Sequence, residues 1–475
     1  MSQVKEYPAA GAATATSFAQ EHFGAADLGH KARNRALVKT AERICRHPGD
    51  TLPNKMGSPA AYKSMDLLMN RPEVTHASVL ASHYQLTRAK IAAAAGVVLL
   101  LHDTTELAYT GLSMPELGPI GNGNQRGYLC HNSLAVDPQR REALGLAYQI
   151  LHRREPVPAG ETVKAKRQRA SRESRLWSQA VLALGQGREG KACIDVADRG
   201  ADLFEFLATE QQLRRRCLVR ASQDRCVRVG HALAGEQKKL FSYLRSLPAQ
   251  GTKQKKVFDN TLQADRQVTL SVAYAPLQLL PPQVTKGEYE AKPLLVWAVH
   301  IWEANPPANV KAMEWFLTTF EPVETVSKAW AISSWYECRF VVEEYHKAQK
   351  TGCHIEHLQF ETAQALQPMI ALLSVVAVML LNLRQACRQP DAEQRPACEV
   401  VDKHYEEILR AWRYKQPRAE MNVKEFYLAL ARLGGHMNRK SDGNPGWLTL
   451  WRGWTKLQLM LDGAEAYRRR KKIVG

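Results

Sequence analysis

The chain of 475 residues carries a formal net charge of +18, while its hydrophobic content of 45% and charged content of 24% are those of an ordinary globular protein. A chain this long predicts two to four domains, and its charge indicates a polyanionic partner, nucleic acid rather than membrane, because no lipid-anchor motif is present. Its nine cysteines are scattered without a Cys-x2-Cys pair, which argues against a disulfide framework or a zinc site and for reduced cytoplasmic thiols.

Residues 1–76 are predicted to form a helical domain with a basic surface. A helical pattern over residues 28–47 combines an apolar side with many cations and ends at Pro48-Gly49. Such a helix suits phosphate and groove contacts, although a solvated helix face would show the same pattern. The candidate DNA contacts of this region are Arg33, Arg35, Lys39 and Lys63.

Residues 77–388 are predicted to form an α/β domain. Its expected elements are strands at 96–103, 127–136 and 143–152, a helix at 176–184, a strand ending at residue 198, a helix at 203–213 and a strand at 217–221. Asp103 and Asp198 each end an apolar strand, and ligand sites in open α/β sheets tend to lie at strand ends. Asp195 is expected on the other face of its strand, since strand side chains alternate.

A basic loop precedes the helix at 176–184. Its cations are Lys164, Lys166, Arg167, Arg169, Arg172 and Arg175. A loop with so much positive charge is expected to contact the DNA backbone.

The pattern changes between about residues 226 and 322. Apolar and polar residues alternate in segments 268–274 and 294–302, and proline pairs separate the segments. This predicts a β-rich insertion between Asp198 and Glu343.

Residues 335–352 predict one helix, because the segment has no Gly or Pro before Gly352. Four residues at spacings i, i+3, i+7 and i+14 share a face: Tyr336, Arg339, Glu343 and Lys350. A carboxylate flanked by two cations and a phenol suits a site for metal and phosphate, although a solvated helix with i,i+4 charge pairs has the same spacing. Glu344 is turned about 100° from Glu343.

The rest of the chain is predicted to be helical. The apolar run at 369–383 is shorter than the roughly 20 residues of a membrane-spanning helix, so a buried core helix is expected. A polar linker at 389–398 leads to a helical domain at 389–475, with helices at 399–417, 422–433 and from 447 onward. Within the last helix, a stripe of three tryptophans either packs on the chain's own core or on a second copy.

Two acids from strands and one from a later helix form the usual carboxylate set for two divalent ions. These motifs also resemble those of a known family. Asp103-Thr-Thr, Asp198-Arg-Gly-Ala-Asp and the Tyr-x2-Arg-x3-Glu-x6-Lys spacing that begins at Tyr336 resemble the DDE cut-and-paste transposases of bacterial insertion sequences, specifically the insertion-sequence-four group. The resemblance implies a ribonuclease-H-like catalytic core with a β-rich insertion, an N-terminal helical domain that recognises DNA ends, and a C-terminal dimerisation domain.

The resemblance further implies a chemistry and its residues. Asp103, Asp198 and Glu343 would bind two Mg²⁺ ions roughly 4 Å apart, with Mn²⁺ as a substitute, to cut double-stranded DNA at terminal inverted repeats and join it to target DNA. The implied DNA contacts are Tyr336, Arg339, Lys347, Lys350, Trp315 and Arg220. Trp315 would stack on a flipped base during hairpin formation, whereas Arg220 could equally form a structural salt bridge.

Two other classes of function stay open at this point. One is a non-catalytic DNA-binding inhibitor of transposition, and the other is a metal-dependent nuclease without strand transfer. For a transposase, the resemblance implies a homodimer on DNA, and the absence of an apolar signal segment predicts a cytoplasmic location without a membrane partner.

Overall fold

The computed structural model describes residues 15–47, 51–158, 160–162, 165, 169–187, 193–230, 235–259, 264–282, 292–308, 310–414, 418–439 and 442–474. Within these residues the protein is of mixed α/β class, and its strands join one large mixed sheet. The α/β prediction is therefore confirmed.

The sheet has twelve strands among the described residues. They are β1 (Val98–Ala108), β2 (Gly118–Ile120), β3 (Gln125–Asp137), β4 (Glu142–His152), β5 (Cys193–Ala197), β6 (Arg216–Arg220), β7 (Cys226–Val229), β8 (Gln237–Lys239), β9 (Gly251–Asp259), β10 (Ala264–Leu279), β11 (Leu294–Glu303) and β12 (Glu314–Thr319). Their order is β2-β3-β1-β5-β6-β12-β11-β10-β7-β8, with β4 also paired to β3 and β9 to β10. Strands β1, β5 and β6 are parallel, and the other pairings are antiparallel.

Helices precede, cover and follow this sheet. They are α1 (Ala15–Phe23), α2 (Lys31–Arg46), α3 (Leu52–Met56), α4 (Pro59–Met69), α5 (His76–Ala93), α6 (Leu176–Leu184), α7 (Phe204–Gln212), α8 (Leu240–Ser246), α9 (Val326–Glu337), α10 (Phe340–Lys347), α11 (Ala363–Ala386), α12 (Lys403–Tyr414), α13 (Val423–Leu433) and α14 (Trp447–Val474). Short helical turns lie at Glu173–Arg175, Arg199–Ala201, Ile355–His357 and Ala397–Glu399, and a π-helical turn at Ala348–Gly352.

One hydrophobic core unites the three predicted domains. Its buried members run from Phe18 in α1 through Leu101 in β1 to Leu457 in α14. A second core, which includes Trp177 of α6 and Phe206 of α7, lies against β6 and the strands that follow it. The N-terminal and C-terminal helices therefore pack on the same core as the sheet.

Helix α11 is the centre of the larger core. Its mean hydropathy reaches 2.1 over an 18-residue window, enough to span a membrane, but 78% of that window is buried inside the protein. The expected buried helix at 369–383 is thus confirmed, within a longer helix that tolerates Pro368 near its start.

Three details of the predicted elements differ from the structure. Strand β1 does not end at Asp103 but continues to Ala108, because β3 pairs with it along that whole length. The β-rich insertion does not stand apart, since β12 pairs with β6 and extends the same sheet. The single helix expected at 335–352 is broken into α9, α10 and the π-helical turn.

The tryptophan stripe of α14 is buried in its own chain. Trp447, Trp451 and Trp454 are 8%, 8% and 6% exposed. The Trp447 indole N–H donates to Glu344 at 2.6 Å, and Trp451 packs so closely on Gly352 that a Cβ there would lie 2.4 Å from the indole. Of the two arrangements expected for this stripe, packing on the chain's own core is therefore the one present, and the stripe is not a free dimer face.

Candidate active site

The site is built on two adjacent parallel strands. Strands β1 and β5 pair in parallel from Val98↔Cys193 to His102↔Ala197, so the next residue on each is an aspartate, Asp103 and Asp198. Adjacent strands lie about 4.8 Å apart, and side chains at equivalent positions point to the same face. The two predicted acids are thus neighbours where β5 ends.

Each aspartate is held by a local backbone N–H. Asp103 accepts from the Thr104 N–H at 2.9 Å, and Asp198 accepts from the Gly200 N–H at 2.8 Å as it caps a short helical turn. The chain can turn away after Asp198 because this cap begins the turn. One oxygen of each carboxylate is engaged in this way.

The third acid, Glu343, reaches the site through Arg339. The Arg339 guanidinium donates to Asp103 at 3.3 Å and to Glu343 in a closer contact. Arg339 stands at the junction of α9 and α10, where hydrogen bonds run from Arg339 N–H to Tyr336 C=O and from Val342 N–H to Arg339 C=O, three residues apart. This tighter winding breaks the predicted single helix, and such local irregularities are common at functional sites.

The charges of the three acids act on one another. Burial raises the pKa of Asp103 to about 6, Arg339 opposes that rise, and the negative charges of Asp198 and Glu343 add to it. Asp103 is 18% exposed, so its charge is poorly hydrated. A nearby cation stabilises the charged form of such a carboxylate, and in this arrangement that cation is Arg339.

The donor set suits hard divalent cations. Mg²⁺ and Mn²⁺ prefer carboxylate oxygens, and Asp103, Asp198 and Glu343 bring three carboxylates into one electrostatic cluster. In the part of the chain that the structure describes, however, no three His, Cys, Asp or Glu side chains converge enough to hold a metal ion. The chemistry of the donors fits a cation, and Arg339 would have to release Asp103 and Glu343 for them to converge.

The neighbouring acids have structural roles. Asp195 is fully buried on the other face of β5, where burial alone would raise its pKa but Arg215 and His102 hold it below its ordinary value. Glu344 is 2% exposed and accepts from Arg384 and from Trp447. Both acids tie elements together and face away from Asp103.

Three of the predicted DNA contacts cluster beside the acids. Trp315 on β12 meets Tyr336 of α9 edge to face, with ring centroids 5.5 Å apart. The Arg220 guanidinium lies over the Trp315 ring at 5.9 Å and donates to the Glu314 carbonyl at 3.2 Å. Trp315 lies on β12, opposite Ile301 of β11. Arg220 forms no ion pair with an acid among the described residues, so the structural salt bridge that the sequence left open for it is not present there.

The two predicted lysines of the helix are paired elsewhere. Lys347 binds Glu344 at 3.0 Å and lies over the Phe340 ring at 5.4 Å. Lys350 falls in the π-helical turn and binds Glu356 at 3.4 Å. Of the residues expected on one face, Arg339 and Glu343 are in contact with each other. Lys350 instead forms an ion pair with Glu356 in the helical turn that follows.

The N-terminal cations differ in availability. Arg33 pairs with Glu73 at 2.9 Å and also donates to the Leu28 carbonyl. Arg35, Lys39 and Lys63 are exposed and form no ion pair with any residue that the structure describes. Three of the four predicted contacts thus present a charge to solvent.

The basic loop is only partly available for DNA. Lys164, Lys166 and Arg167 lie outside the described residues. The other cations pair with acids: Arg169 with Glu161 at 3.0 Å, and Arg172 and Arg175 with Glu205. These three arginines neutralise nearby carboxylates in this structure, and contact of the loop with DNA stays a prediction.

Two residues of the site could not be predicted from the sequence. His346 lies with its Nδ1 4.0 Å from Asp103, and Asn132 of β3 stands directly opposite Asp103 in the register of β1 with β3. Asn132 belongs to no motif of the sequence, and His346 lies within the Tyr-x2-Arg-x3-Glu-x6-Lys segment at a position that the spacing does not specify. The signal in the sequence that could find His346 is its position three residues after Glu343, which puts both on one helix face.

No protein-family model matches the chain.

Proposed function

We propose that the protein is a DNA transposase of the DDE type, with Asp103, Asp198 and Glu343 as its catalytic acids. The observation that carries the proposal is the equivalent register of Asp103 and Asp198 on adjacent parallel strands, together with the Arg339 contact that joins Asp103 to Glu343. The net charge of +18 supports a DNA substrate.

The strand order supports a ribonuclease-H-like core for this function. Strands β4-β3-β1-β5-β6 form an antiparallel meander followed by two strands parallel to β1. In this proposal β7 to β12 are an insertion that brings Trp315 to the site, and α1 to α4 recognise the DNA end.

Asp103, Asp198 and Glu343 would hold two Mg²⁺ ions, which when bound supply Lewis acidity to the attacking and leaving oxygens of phosphoryl transfer. Arg339 then offers its guanidinium to a phosphate oxygen in place of the carboxylates it now contacts. Tyr336 orients the same phosphate, and Trp315 presents a π-face on which a displaced base can stack.

The proposed partners are double-stranded DNA with terminal inverted repeats, target DNA, and a second copy of the chain in the DNA complex. Since the tryptophan stripe is buried, a dimer would use another surface of α14 or of the sheet. The proposed location is the bacterial cytoplasm, with access to the nucleoid.

A strand-transfer assay tests this function. A pre-cleaved end with a free 3′-hydroxyl, a supercoiled target plasmid and Mg²⁺ should give joined products with the wild type and none with Glu343→Gln. A parallel reaction with an uncut end reports cleavage. Cleavage of the uncut end without joining of the pre-cleaved end would indicate a nuclease, and binding without either reaction would indicate an inhibitor. The sequence flanking the coding region supplies the candidate end.

A further inference from the structure

A relay of three hydrogen bonds leads from helix α5 to His346, whose other ring nitrogen lies 4.0 Å from the candidate catalytic acid Asp103. It begins at His76, the first residue of α5, whose Nε2 lies 2.9 Å from the Gln149 amide oxygen. The Gln149 amide nitrogen donates to the Asn132 oxygen at 2.7 Å, and the Asn132 nitrogen lies 3.1 Å from His346 Nε2. The other ring nitrogen of His346 faces the Asp103 carboxylate.

The orientation of the Asn132 amide is determined by its other neighbours. Its nitrogen also points at the Cys130 carbonyl at 3.4 Å, while its oxygen accepts from Gln149. If the Asn132 amide were reversed, its oxygen would face the carbonyl oxygen of Cys130, and the two acceptors would repel each other. The Asn132 nitrogen therefore faces both this carbonyl and His346. Asn132 is completely buried and Gln149 is 3% exposed, so water does not compete for these bonds.

This orientation determines the tautomer of His346. Because the Asn132 nitrogen donates, His346 Nε2 must accept, and the ring proton of the neutral imidazole must lie on Nδ1. An imidazole whose Nε2 accepts a hydrogen bond carries a single ring proton, so His346 is neutral in this arrangement. The protonated Nδ1 is therefore the ring nitrogen beside the Asp103 carboxylate, with 4.0 Å between Nδ1 and Asp103 Oδ2.

We infer that His346 is a positioning residue for Asp103, held by Asn132 and Gln149 as the Nδ1–H tautomer so that its N–H orients the carboxylate. The inference rests on the proposed function for its catalytic meaning, but the tautomer and the orientation are properties of the protein alone. Each of the three hydrogen bonds donates in the same direction, from α5 towards His346, and each polarises the next.

The tautomer is tested by ¹⁵N NMR of protein labelled at histidine. His346 should show a protonated Nδ1 and an unprotonated Nε2 at pH 7. Asn132→Asp replaces the donor by an acceptor and should move the proton to Nε2. A wild-type Nε2–H tautomer would overturn the inference.

The positioning role is tested by two matched substitutions. The shorter side chain of His346→Asn places its amide where Nδ1 was, so its N–H can replace Nδ1–H. The longer side chain of His346→Gln places its amide where Nε2 was, so it cannot replace Nδ1–H. We expect His346→Gln to lose about 10- to 100-fold in Mn²⁺ affinity by calorimetry and in single-turnover DNA cleavage, and His346→Asn to retain most of both. The exposed His404→Gln is the control for histidine removal.

A purely structural role would weaken both His346 variants alike, and that result would overturn the inference. Thermal unfolding of each variant identifies loss of fold, and DNA-end binding identifies loss of assembly. If the wild type cleaves no DNA, the proposed function fails, whereas the tautomer and the Mn²⁺ affinities still decide the role of His346.

Discussion

Asp103 and Asp198 stand at equivalent positions of two parallel strands, one residue beyond the last pair that β1 and β5 form. Strand β1 continues past this point with β3 as its partner, while β5 ends and turns at a cap made by Asp198 itself. The end of β5 thus exposes one face of Asp103 next to Asp198. Helix α10 brings Glu343 to that face, with Arg339 in between.

The charge of Asp103 should destabilise the protein at neutral pH when divalent ions are absent. Burial chiefly raises its pKa from 3.8 to about 6, so the folded state holds this proton more tightly than the unfolded state and stability falls as pH rises through that window. The substitution Asp103→Asn should therefore raise the free energy of unfolding by up to about 3 kcal/mol at pH 7 and leave it unchanged below about pH 4.

Urea unfolding of Asp103→Asn between pH 4 and 8 measures this gain. Glu106→Gln is a matched control, because Glu106 lies on the same strand but on the opposite face. If the difference in stability between Asp103→Asn and the wild type did not change with pH, the raised pKa would not belong to Asp103.

Glu344 should matter for stability rather than for chemistry. Its carboxylate is buried and joins α10 to Arg384 of α11 and Trp447 of α14. Glu344→Gln leaves Arg384 without its charged partner and should cost about 3–5 kcal/mol in the free energy of unfolding. Chemical denaturation measures that cost, and a variant of unchanged stability would show that the contact carries little energy.

DNA-end binding should depend steeply on salt, with a contribution from the exposed cations of α2. Lys39→Gln should lower the slope of log affinity against log salt by about 1, because one fewer counterion is released. Arg33→Gln should change the slope less, since Glu73 already pairs with Arg33. Fluorescence anisotropy measures these slopes. If both variants keep the slope of the wild type, α2 is not part of the DNA interface.

Deletion of α14 should unfold the protein rather than only prevent dimerisation. The deletion of residues 447–475 removes three buried tryptophans and exposes the core around Gly352. Deletion from residue 464 removes only the part beyond the buried stripe and should keep the fold. Circular dichroism and sedimentation of the two truncations test this, and a folded protein that lacks residues 447–475 would contradict the packing described above.

Much of the fold follows from local pattern, because apolar runs and their boundaries depend on nearby residues. Helix α6 spans the predicted 176–184, and β4, β5 and β6 lie within one or two residues of expectation. The alternation that separates Asp195 from Asp198 also follows from sequence. The register of β1 and β5 does not, yet it is what brings the two aspartates together.

The predictions differ from the structure where tertiary contacts determine the end of a strand or the break in a helix. Strand β1 passes Asp103 because β3 pairs with it to Ala108, and the helix at 335–352 breaks where Arg339 turns towards Asp103 and Glu343. For the stripe on α14, the sequence allows two arrangements, and the structure has the packing on its own chain, where Gly352 allows Trp451 to approach closely. Spacing along a helix gives a face but does not say what covers that face.

The most direct test of the central claim is single-turnover cleavage of a bound DNA end in Mg²⁺ by Asp103→Asn, Asp198→Asn and Glu343→Gln, with Glu106→Gln as the control. We predict that each of the three variants binds the end as the wild type does but shows no cleavage, while the control cleaves normally. Cleavage at the wild-type rate by any of the three would remove that acid from the active site and contradict the account.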